Sequence, residues 1–492
     1  MRGILAKLIV PVAATVAITV VANPVWAQGG GGQQQQPIEP VLTLTPRVLG
    51  TFPVQDGEDQ RFTYHGISNV QFRIHLVDDN FPPGSVSQTA LCDFDGDGRL
   101  DYTVGGNGGN FVYRRNDDGT WTRYHLRRIN LQGELAMTGR GPTDAGGTAA
   151  DLDGDGFCDL IVGSSWYRNP GGRLDGDWQQ YDYAEASGGN ALVHDEILAD
   201  INGDGRLDLV TMRDATNVRF YEIPEDPTQP WTRHDVGPST HQGIAPRGFG
   251  DLNGDGRVDI VRNDVWFENT LRPDGTIWWR MHYLGPLMTL PPGSLVDDAG
   301  WANGAQSWVA DINGDGRNDI VQADGETRGA RVWWMENLGT EPDGSVRWRR
   351  HVIAGGLRTI VDGQSVYYGR VMGALHALCV GDFTGNGRED IVVFESDWAR
   401  ARPGANGEEQ PRAFLYENLA TGFDGTVLFH EHVIADVNLG GHNIVCGDIM
   451  GNGKLDIVAK PWGTQGGNAS NVNALGGRYY VIVLENLTEP AE

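Results

Sequence analysis

The chain has 492 residues, of which 70 are Gly; 39% of residues are hydrophobic and 21% are charged. This glycine content excludes a coiled-coil protein, and apolar runs confined to the N-terminus exclude a protein with several membrane spans. The formal net charge of −27 disfavours a nucleic-acid partner, because an acidic surface repels phosphate.

The N-terminal segment predicts export. Arg2 and Lys7 precede an apolar stretch at residues 8–21, and Val25-Trp26-Ala27 is typical of a cleavage site. We therefore expect residues 1–27 to be a signal peptide, with a retained single-span anchor as the alternative. Residues 28–39, which contain QGGGGQQQQP, predict a low-complexity linker. The mature protein is expected to be a secreted or periplasmic monomer with no membrane attachment.

A nine-residue pattern, Asp-x-Asp/Asn-Gly-Asp-Gly-x-x-Asp, dominates the remaining sequence. It occurs intact as DFDGDGRLD (93–101), DLDGDGFCD (151–159), DINGDGRLD (200–208), DLNGDGRVD (251–259) and DINGDGRND (311–319). Two weaker copies are DFTGNGRED (382–390) and DIMGNGKLD (448–456). An apolar segment precedes each copy and a β-branched segment follows it, so each loop joins two antiparallel strands.

Two further strands complete each repeat. The third is rich in aromatic residues, and the fourth carries Trp and often His. Four strands with period-two patterning predict one propeller blade, so the seven repeats predict an all-β, seven-bladed propeller over residues 40–492. The last repeat stops after its third strand, YYVIVLEN (479–486), whereas FRIHLV (72–77) has no repeat of its own. We expect FRIHLV to complete the seventh blade and close the ring.

These loops, at this spacing, resemble FG-GAP/VCBS repeats, which build the propeller of integrin α-subunits and of many secreted bacterial proteins. The resemblance covers nearly all of the mature chain. It implies a calcium-binding seven-bladed propeller, but it implies no single function, because propellers host both binding and catalysis.

The loops offer an all-oxygen ligand set to a cation. Positions 1, 3, 5 and 9 supply side-chain oxygens, position 7 supplies a backbone carbonyl, and Gly at positions 4 and 6 predicts positive φ. These ligand positions contain no Cys or His, which favours Ca²⁺ over zinc. Turns without metal are the alternative. The candidate ligands of the intact loops are Asp93, Asp95, Asp97, Arg99, Asp101; Asp151, Asp153, Asp155, Phe157, Asp159; Asp200, Asn202, Asp204, Arg206, Asp208; Asp251, Asn253, Asp255, Arg257, Asp259; and Asp311, Asn313, Asp315, Arg317, Asp319.

The last two loops are weaker candidates. The sixth retains Asp382, Asn386 and Asp390 but has Thr384 at position 3, so it loses two carboxylates. The seventh has Met450 where an oxygen ligand is needed. We therefore expect about five calcium sites in the chain.

The blade topology separates these loops from the long connections. Asp loops and the short turns between third and fourth strands share one face. The connections at 284–304, 354–373, 397–412 and 460–477 lie on the other. Insertions concentrated on one face indicate a binding face, so calcium is expected to be structural.

Several histidines are placed near the mouth of the central channel on that second face. His194, His376 and His442 each lie six residues before the first Asp of their loop, and His241 lies ten residues before its own. They could share an additional transition metal or act as acid and base, or each could pack within its own strand. The outer-strand histidines are expected to be packing residues, and these are His125, His234, His351 and His432. Further candidates suited to sugar stacking or carboxylate recognition are Tyr367, Tyr368, Arg370, Glu395, Trp398, Lys460 and Trp462.

Two functions follow from this arrangement. The favoured one is a module that binds a glycan or an extracellular protein. The alternative is a carbohydrate-active lyase or dehydratase, because GGHNIVCGD (440–448) with KPW (460–462) is similar to the propeller of aldos-2-ulose dehydratases. In that case His194, His376, His442, Tyr367 and Arg370 are the candidates for base, acid and enolate stabilisation.

The four cysteines leave the covalent framework open. Cys92, Cys158, Cys379 and Cys446 permit three pairings, and the sequence does not choose among them. Export permits disulfides, but a core of this size does not require them, so buried free thiols are an equal alternative.

Overall fold

The computed structural model describes residues 41–53, 55–56, 70–81, 89–106, 109–126, 147–183, 193–212, 217–240, 243–284, 305–325, 330–355, 357–361, 364–368, 372–396, 411–421, 427–435, 438–461 and 479–489. Within these ranges the regular structure consists of β-strands, without an α-helix. None of the described segments is a helix long and apolar enough to cross a membrane. The predicted signal peptide and the linker lie outside the described residues.

Each blade is an antiparallel sheet whose strands we label A to D from the inner to the outer edge. The chain begins with β1 (Val41–Leu44), β2 (Arg47–Pro53), β3 (Gln55–Asp56) and β4 (Gln71–Asp78). Blade 1 follows with β5 (Leu91–Cys92), β6 (Asp101–Gly106), β7 (Gly109–Arg115) and β8 (Trp121–His125). Blade 2 has β9 (Thr148–Ala150), β10 (Asp159–Val162), β11 (Ser165–Arg168) and β12 (Gln179–Asp182). Blade 3 has β13 (Asp195–Ala199), β14 (Asp208–Met212), β15 (Asn217–Glu222) and β16 (Thr232–Pro238).

The later blades repeat this order. A short strand, β17 (Pro246–Arg247), precedes blade 4, which has β18 (Phe249–Gly250), β19 (Asp259–Arg262), β20 (Val265–Leu271) and β21 (Ile277–Tyr283). Blade 5 has β22 (Ala305–Ala310), β23 (Asp319–Asp324), β24 (Val332–Thr340) and β25 (Val346–Ala354). A separate hairpin of β26 (Leu357–Val361) and β27 (Gln364–Tyr368) leads to blade 6. Blade 6 has β28 (Leu375–Gly381), β29 (Asp390–Glu395), β30 (Ala413–Thr421) and β31 (Val427–Ala435). Blade 7 has β32 (Val445–Gly447), β33 (Asp456–Ala459) and β34 (Val481–Asn486).

The ring closes where the sequence predicts. Strand β4 pairs antiparallel with β34 and becomes the D strand of blade 7, with Leu76 opposite Ile482 and Ile74 opposite Leu484. The all-β, seven-bladed propeller and the closing role of FRIHLV are both confirmed.

Three N-terminal strands add a feature that the sequence analysis did not predict. Strand β1 pairs with the D strand of blade 1, β2 with the D strand of blade 7, and β3 with the D strand of blade 6. We call these three strands the N-terminal belt. It gives each of three consecutive blades a fifth strand on its outer edge, where backbone N–H and C=O groups would otherwise be unpaired.

The hydrophobic core lies between blades. Because successive side chains of a strand point to opposite faces, one C strand serves two neighbouring interfaces. In blade 5, Trp333 packs toward blade 4 with Trp266, and the next residue, Trp334, packs toward blade 6 with Phe414. These side chains are at most 1% exposed, which explains the predicted aromatic character of the third strand.

Two disulfides join neighbouring blades. Cys92 of blade 1 bonds to Cys158 at the base of blade 2, and their Cα atoms are 6.2 Å apart. Cys379 of blade 6 bonds to Cys446 of blade 7, and both lie in A strands, with a Cα–Cα distance of 6.5 Å. The structure therefore selects one of the three pairings, and none of the four cysteines is free.

Candidate metal loops and binding face

The Asp loops share one backbone conformation. In the first loop, Asp93 accepts hydrogen bonds from the backbone N–H groups of Gly96, Asp97 and Gly98 at 2.8, 3.1 and 2.8 Å. The first Asp of each other intact loop accepts the same three bonds. Positive φ at positions 4 and 6 is confirmed in all seven loops, with 74° at Gly96 and 85° at Gly98. The sequence pattern thus encodes a loop that wraps around its first carboxylate.

The Asp at position 9 is the buried carboxylate of each loop. It begins the B strand and is at most 2% exposed in all seven blades. In the first six loops it accepts the backbone N–H of position 2, as Asp101 does from Phe94 at 3.1 Å, and in the seventh Asp456 accepts that of Met450 at position 3. Burial raises the pKa of this group throughout the ring. The pKa is raised to about 8 at Asp101 and Asp259, about 7 at Asp159, Asp319 and Asp390, and about 6 at Asp208 and Asp456. A bound divalent cation would offset both the burial and the repulsion between neighbouring carboxylates.

The donor set fits calcium. Carboxylate oxygens of Asp93, Asp95 and Asp101 lie within 4.8 Å of one another, and the corresponding three residues of the second loop do the same. Calcium takes six to eight oxygen ligands, so three converging carboxylates with nearby backbone carbonyls match its chemistry. Among the described residues, no His or Cys belongs to either of these two groups.

Arginine side chains balance part of the loop charge. In the four intact loops with Arg at position 7, its guanidinium contacts the Asp at position 5, as Arg99 does with Asp97 at 2.6 Å and Arg206 with Asp204 at 3.0 Å. Hydrogen bonds from Arg99 are the largest influence on Asp97 and lower its pKa. The contribution predicted from position 7 is its backbone carbonyl, so the guanidinium contact does not exclude that role.

The sixth and seventh loops replace ligands by protein hydrogen bonds. In the sixth, the Thr384 hydroxyl donates to Asp390 at 2.9 Å, and the Asn386 amide donates to the backbone oxygen of Asn418 at 3.0 Å. In the seventh, the backbone oxygen of Met450 accepts from Arg115 of blade 1 at 3.0 Å. In these two loops, hydrogen-bond donors of the protein thus provide part of the stabilisation that a cation would provide in an intact loop.

In five of the seven blades, an asparagine at the end of the C strand connects the Asp loop to the blade before it. In blade 5, the backbone N–H of Asn337 donates to Asp319 at 2.7 Å, while its side-chain amide donates to the backbone oxygen of Leu252 in blade 4 at 2.7 Å. Equivalent residues with both contacts are Asn169, Asn269, Asn418 and Asn486. The sequence signal for this role is the Glu-Asn pair that recurs in FEN, MEN, YEN and LEN, which was not among the predicted functional positions.

On the opposite face, two of the predicted histidines come together. The rings of His376 and His442, in neighbouring blades 6 and 7, stack with centroids 4.2 Å apart and planes 16° apart. Both residues are buried, at 3% and 5% exposed. The buried Lys460 ammonium donates to the backbone oxygens of His442 and Asn443 at 3.0 and 3.1 Å, which holds the segment carrying His442 in place.

Glu395 forms a second buried polar contact on this face. Its carboxylate accepts the Arg412 guanidinium at 2.9 Å and the backbone N–H groups of Gly373 and Arg412, both at 2.8 Å. Burial alone would lower the pKa of Arg412, but the hydrogen bond and charge of Glu395 raise it instead. The pair therefore fixes the ends of two connections on the face opposite the Asp loops.

His194 belongs to a different pair. Its Nδ1 lies 2.6 Å from Oδ1 of Asp195, whose Oδ2 accepts the backbone N–H groups of Gly243, Ile244 and Ala245 at 2.8, 2.8 and 3.0 Å. Within the described part of the chain, no group of three metal-ligating side chains includes His194, His376 or His442. A catalytic or metal role for these histidines stays a prediction.

The other candidates on this face are only partly described. Tyr367 and Tyr368 lie on β27, where Tyr367 is opposite Arg358 in register. Arg370, His241, Trp398 and Trp462 lie outside the described residues. An acid–base set for a lyase or dehydratase is therefore not assembled among the described residues.

Three of the outer-strand histidines, His125, His234 and His351, pack against aromatic rings. His351 stacks on Trp334 with centroids 4.5 Å apart, and His234 stacks on Phe220 at 4.4 Å. His125 stacks on Phe111 at 4.9 Å.

The repeats match a known family. The FG-GAP-like repeat family matches residues 93–162, 151–211 and 200–261. The chain is a β-propeller that carries FG-GAP-like repeats. The matched residues cover the first four Asp loops, and the blades that follow repeat the same strand order. The similarity of residues 440–462 to aldos-2-ulose dehydratases stays a prediction.

Solved propellers resemble the FG-GAP repeat propeller at low identity. An Agrocybe aegerita lectin that recognises non-reducing terminal N-acetylglucosamine is 19% identical, with a TM-score of 0.42, covering 72% of this chain and 81% of that one. The exotype rhamnogalacturonan lyase YesX is 14% identical, with a TM-score of 0.43, covering 84% and 80%. An endo-arabinase from Bacteroides thetaiotaomicron is 8% identical, with a TM-score of 0.32, covering 85% and 99%. No curated protein sequence matches significantly. Similarity at this level carries no functional argument.

The disulfides indicate a compartment. Two disulfides form and persist in oxidising environments, so with the FG-GAP repeats they suggest an extracellular or periplasmic protein.

Proposed function

We propose that this propeller is a calcium-stabilised binding module that holds a glycan or a protein partner on the face opposite its Asp loops. The observation that carries this proposal is the separation of the two faces. One face repeats the Asp loop, whose carboxylates converge in the first two copies, and the other begins and ends the long, non-repeated connections. A loop that is repeated in each blade suits a structural cation, whereas connections that differ between blades suit recognition of a ligand.

The ligand-binding half of the proposal is supported by the polar contacts beneath the connections. Glu395 with Arg412, Lys460 with the backbone at His442, and Asp195 with the segment at Gly243 each anchor a connection to a rigid blade. Binding loops placed on a rigid scaffold lose little entropy on binding, which favours affinity.

Calcium would be held by positions 1, 3, 5 and 9 of the five intact loops, with the position 7 carbonyl. Its chemistry there is charge neutralisation, because it would keep the buried Asp of position 9 ionised. By mass action, a loop saturated at 100 times its dissociation constant would stabilise the fold by about 2.7 kcal/mol.

The calcium half is tested by stoichiometry in matched loop variants. Asp251→Asn removes the first carboxylate of an intact loop, and Asp448→Asn makes the same change in the weak seventh loop. We expect metal analysis to give about five Ca²⁺ per chain, one fewer in Asp251→Asn, and no change in Asp448→Asn. Fewer than one Ca²⁺ per chain, or equal losses in both variants, would contradict the loop assignment.

The recognition half is tested by a screen on immobilised glycans and extracellular protein fractions. A captured ligand should be lost in Trp398→Ala or Trp462→Ala, which change predicted binding-face residues. Binding should persist in Glu225→Ala, which changes an exposed residue in the turn between β15 and β16 on the Asp-loop face. Loss in all three variants, or in Glu225→Ala alone, would place recognition elsewhere.

A further inference from the structure

Histidine–glutamate pairs recur between C and D strands of the blades. In blades 4, 5 and 7, the histidine Nε2 lies 2.7 Å from a glutamate carboxylate on the adjacent strand. The pairs are His282 with Glu268, His351 with Glu336, and His75 with Glu485. Each pair shares one face of its sheet, since the histidine lies diagonally across from the glutamate in register.

In these three blades an arginine completes the set. The residue directly opposite each glutamate is Arg280, Arg349 or Arg73, and its guanidinium lies 3.1–3.3 Å from the carboxylate. The glutamate is therefore balanced by a permanent positive charge.

Blade 6 departs from this pattern at one position. His432 makes the repeated contact with Glu417, and its Nε2 lies 2.8 Å from Oε2. The residue opposite Glu417 is His430 instead of arginine, with Nδ1 3.8 Å from the same oxygen. His430 and His432 are two residues apart on β31, so both face the same side of the sheet as Glu417.

We propose that Glu417, His430 and His432 form a binding site for a transition-metal dication of the zinc class. Two imidazoles and one carboxylate are ligands that zinc favours, and bonds of about 2.0–2.1 Å would bring three such atoms within roughly 3.5 Å of one another. The three ligand atoms already lie within 4.8 Å of one another. Only a small movement of the three side chains is therefore needed to coordinate the ion.

The surroundings separate this site from the calcium loops. The side chains of His432, His430 and Glu417 are 1%, 9% and 13% exposed, so the site is largely shielded from solvent. Three protein ligands leave a fourth position for water, as in zinc sites of this ligand count. Nitrogen donors distinguish it from the all-oxygen loops, which suit calcium.

The test uses the arginine of the other blades as its matched variant. His430→Arg restores in blade 6 the set found in blades 4, 5 and 7, so the variant should fold. His351→Gln changes the histidine of blade 5 and serves as a control. Zn²⁺ is titrated into untagged protein saturated with Ca²⁺. We expect one Zn²⁺ per chain in the wild type and in His351→Gln, with affinity at least tenfold lower in His430→Arg.

Two results would overturn the proposal. One is equal Zn²⁺ affinity in the wild type and His430→Arg; the other is the absence of any Zn²⁺ bound by the calcium-saturated wild type. If His430→Arg fails to fold, Co²⁺ added to the wild type decides. Intense visible absorption from a nitrogen-ligated site, lost in Glu417→Gln, supports the site, and a spectrum of solvated Co²⁺ refutes it.

Discussion

Buried carboxylates fix neighbouring blades to each other at single residues. Asp195 is the clearest case. Its carboxylate contacts the His194 ring and accepts hydrogen bonds from three backbone N–H groups of the segment that leads into blade 4. Burial alone would raise its pKa, but the hydrogen bond and charge of His194 and the backbone donors outweigh burial and lower it. The ionised form is thus part of the folded structure.

Replacing this carboxylate should destabilise the fold in a pH-dependent way. A folded-state pKa below the unfolded value of about 3.9 gives stability that is fully present above that pH and is lost as pH falls below it. We expect Asp195→Asn to lower the free energy of unfolding by about 2–3 kcal/mol at pH 6, and by less at pH 3. Urea unfolding of both proteins with saturating Ca²⁺ measures the difference.

The control is Asp235→Asn, which removes the half-exposed partner of Arg219. An exposed ion pair contributes about 0–1 kcal/mol, so this variant should match the wild type at both pH values. A difference between wild type and Asp195→Asn that is the same at pH 6 and pH 3 would show that ionisation of Asp195 is not what stabilises the contact.

At the residue scale, conformations set by neighbouring residues could be predicted from sequence, whereas contacts between residues far apart in the chain could not. The positive φ of Gly96 and Gly98 follows from a turn encoded within nine residues. The side-chain amide of Asn486, in contrast, donates a hydrogen bond to the backbone oxygen of Phe383, 103 residues away. Equal register predicted that His194, His376 and His442 lie near the channel mouth, but it did not predict that His376 stacks on His442 while His194 contacts its neighbour Asp195.

At the scale of elements, the N-terminal belt covers the outer edges of blades 6, 7 and 1. These edges flank the point where the chain closes the ring, because β4 supplies the last strand of blade 7. The belt strands are partly exposed, with Val41 43% and Val48 57% exposed, so they contribute backbone pairing more than core.

Truncation should separate the belt from the closing strand. A chain that begins at residue 57 keeps β4, and we expect it to fold with a melting temperature lower by about 2–5 °C and to self-associate through its uncovered edges. A chain that begins at residue 79 also loses β4 and should not yield a soluble monomer. Calorimetry and size-exclusion chromatography make the comparison. A residue-57 chain that melts and elutes like the full one would show that the belt is dispensable.

The closing strand could be predicted from sequence and the belt strands could not, because they differ in how much hydrophobic surface they bury. The segment FRIHLV alternates apolar and polar residues and must bury one side, so it could be assigned to a blade. Belt strands such as β1 add to an existing edge, and their alternation of exposed and half-buried positions leaves little hydrophobic signal.

For the whole molecule, the disulfides reinforce two of the inter-blade interfaces. They close sequence separations of 66 and 67 residues, and loops of that length should stabilise the fold by about 4 kcal/mol each in the chain-entropy account. The sequence could not select the pairing, because it depends on which cysteine side chains face each other across the interface between two neighbouring blades.

Removing either pair should lower the denaturant midpoint. We expect Cys92→Ala with Cys158→Ala, and separately Cys379→Ala with Cys446→Ala, to unfold at lower urea concentration than the wild type. Addition of a reductant should shift the wild type in the same direction and leave a variant lacking both pairs unchanged. Coincident unfolding curves for a double variant and the wild type would show that its disulfide is energetically silent.

Hydrogen bonds between blades form one series around the ring. The asparagines link the loops of blades 3 to 7 and the loops of blades 1 and 2, and Arg115 of blade 1 joins the two sets through the backbone oxygen of Met450 in loop 7. Blade 3 has Ile223 at the equivalent position, where it packs with Leu152 of blade 2. The gain or loss of a cation in loop 4 should therefore affect loops 3 and 5 through these hydrogen bonds. Between blades 3 and 2, the apolar contact of Ile223 takes the place of the asparagine hydrogen bond.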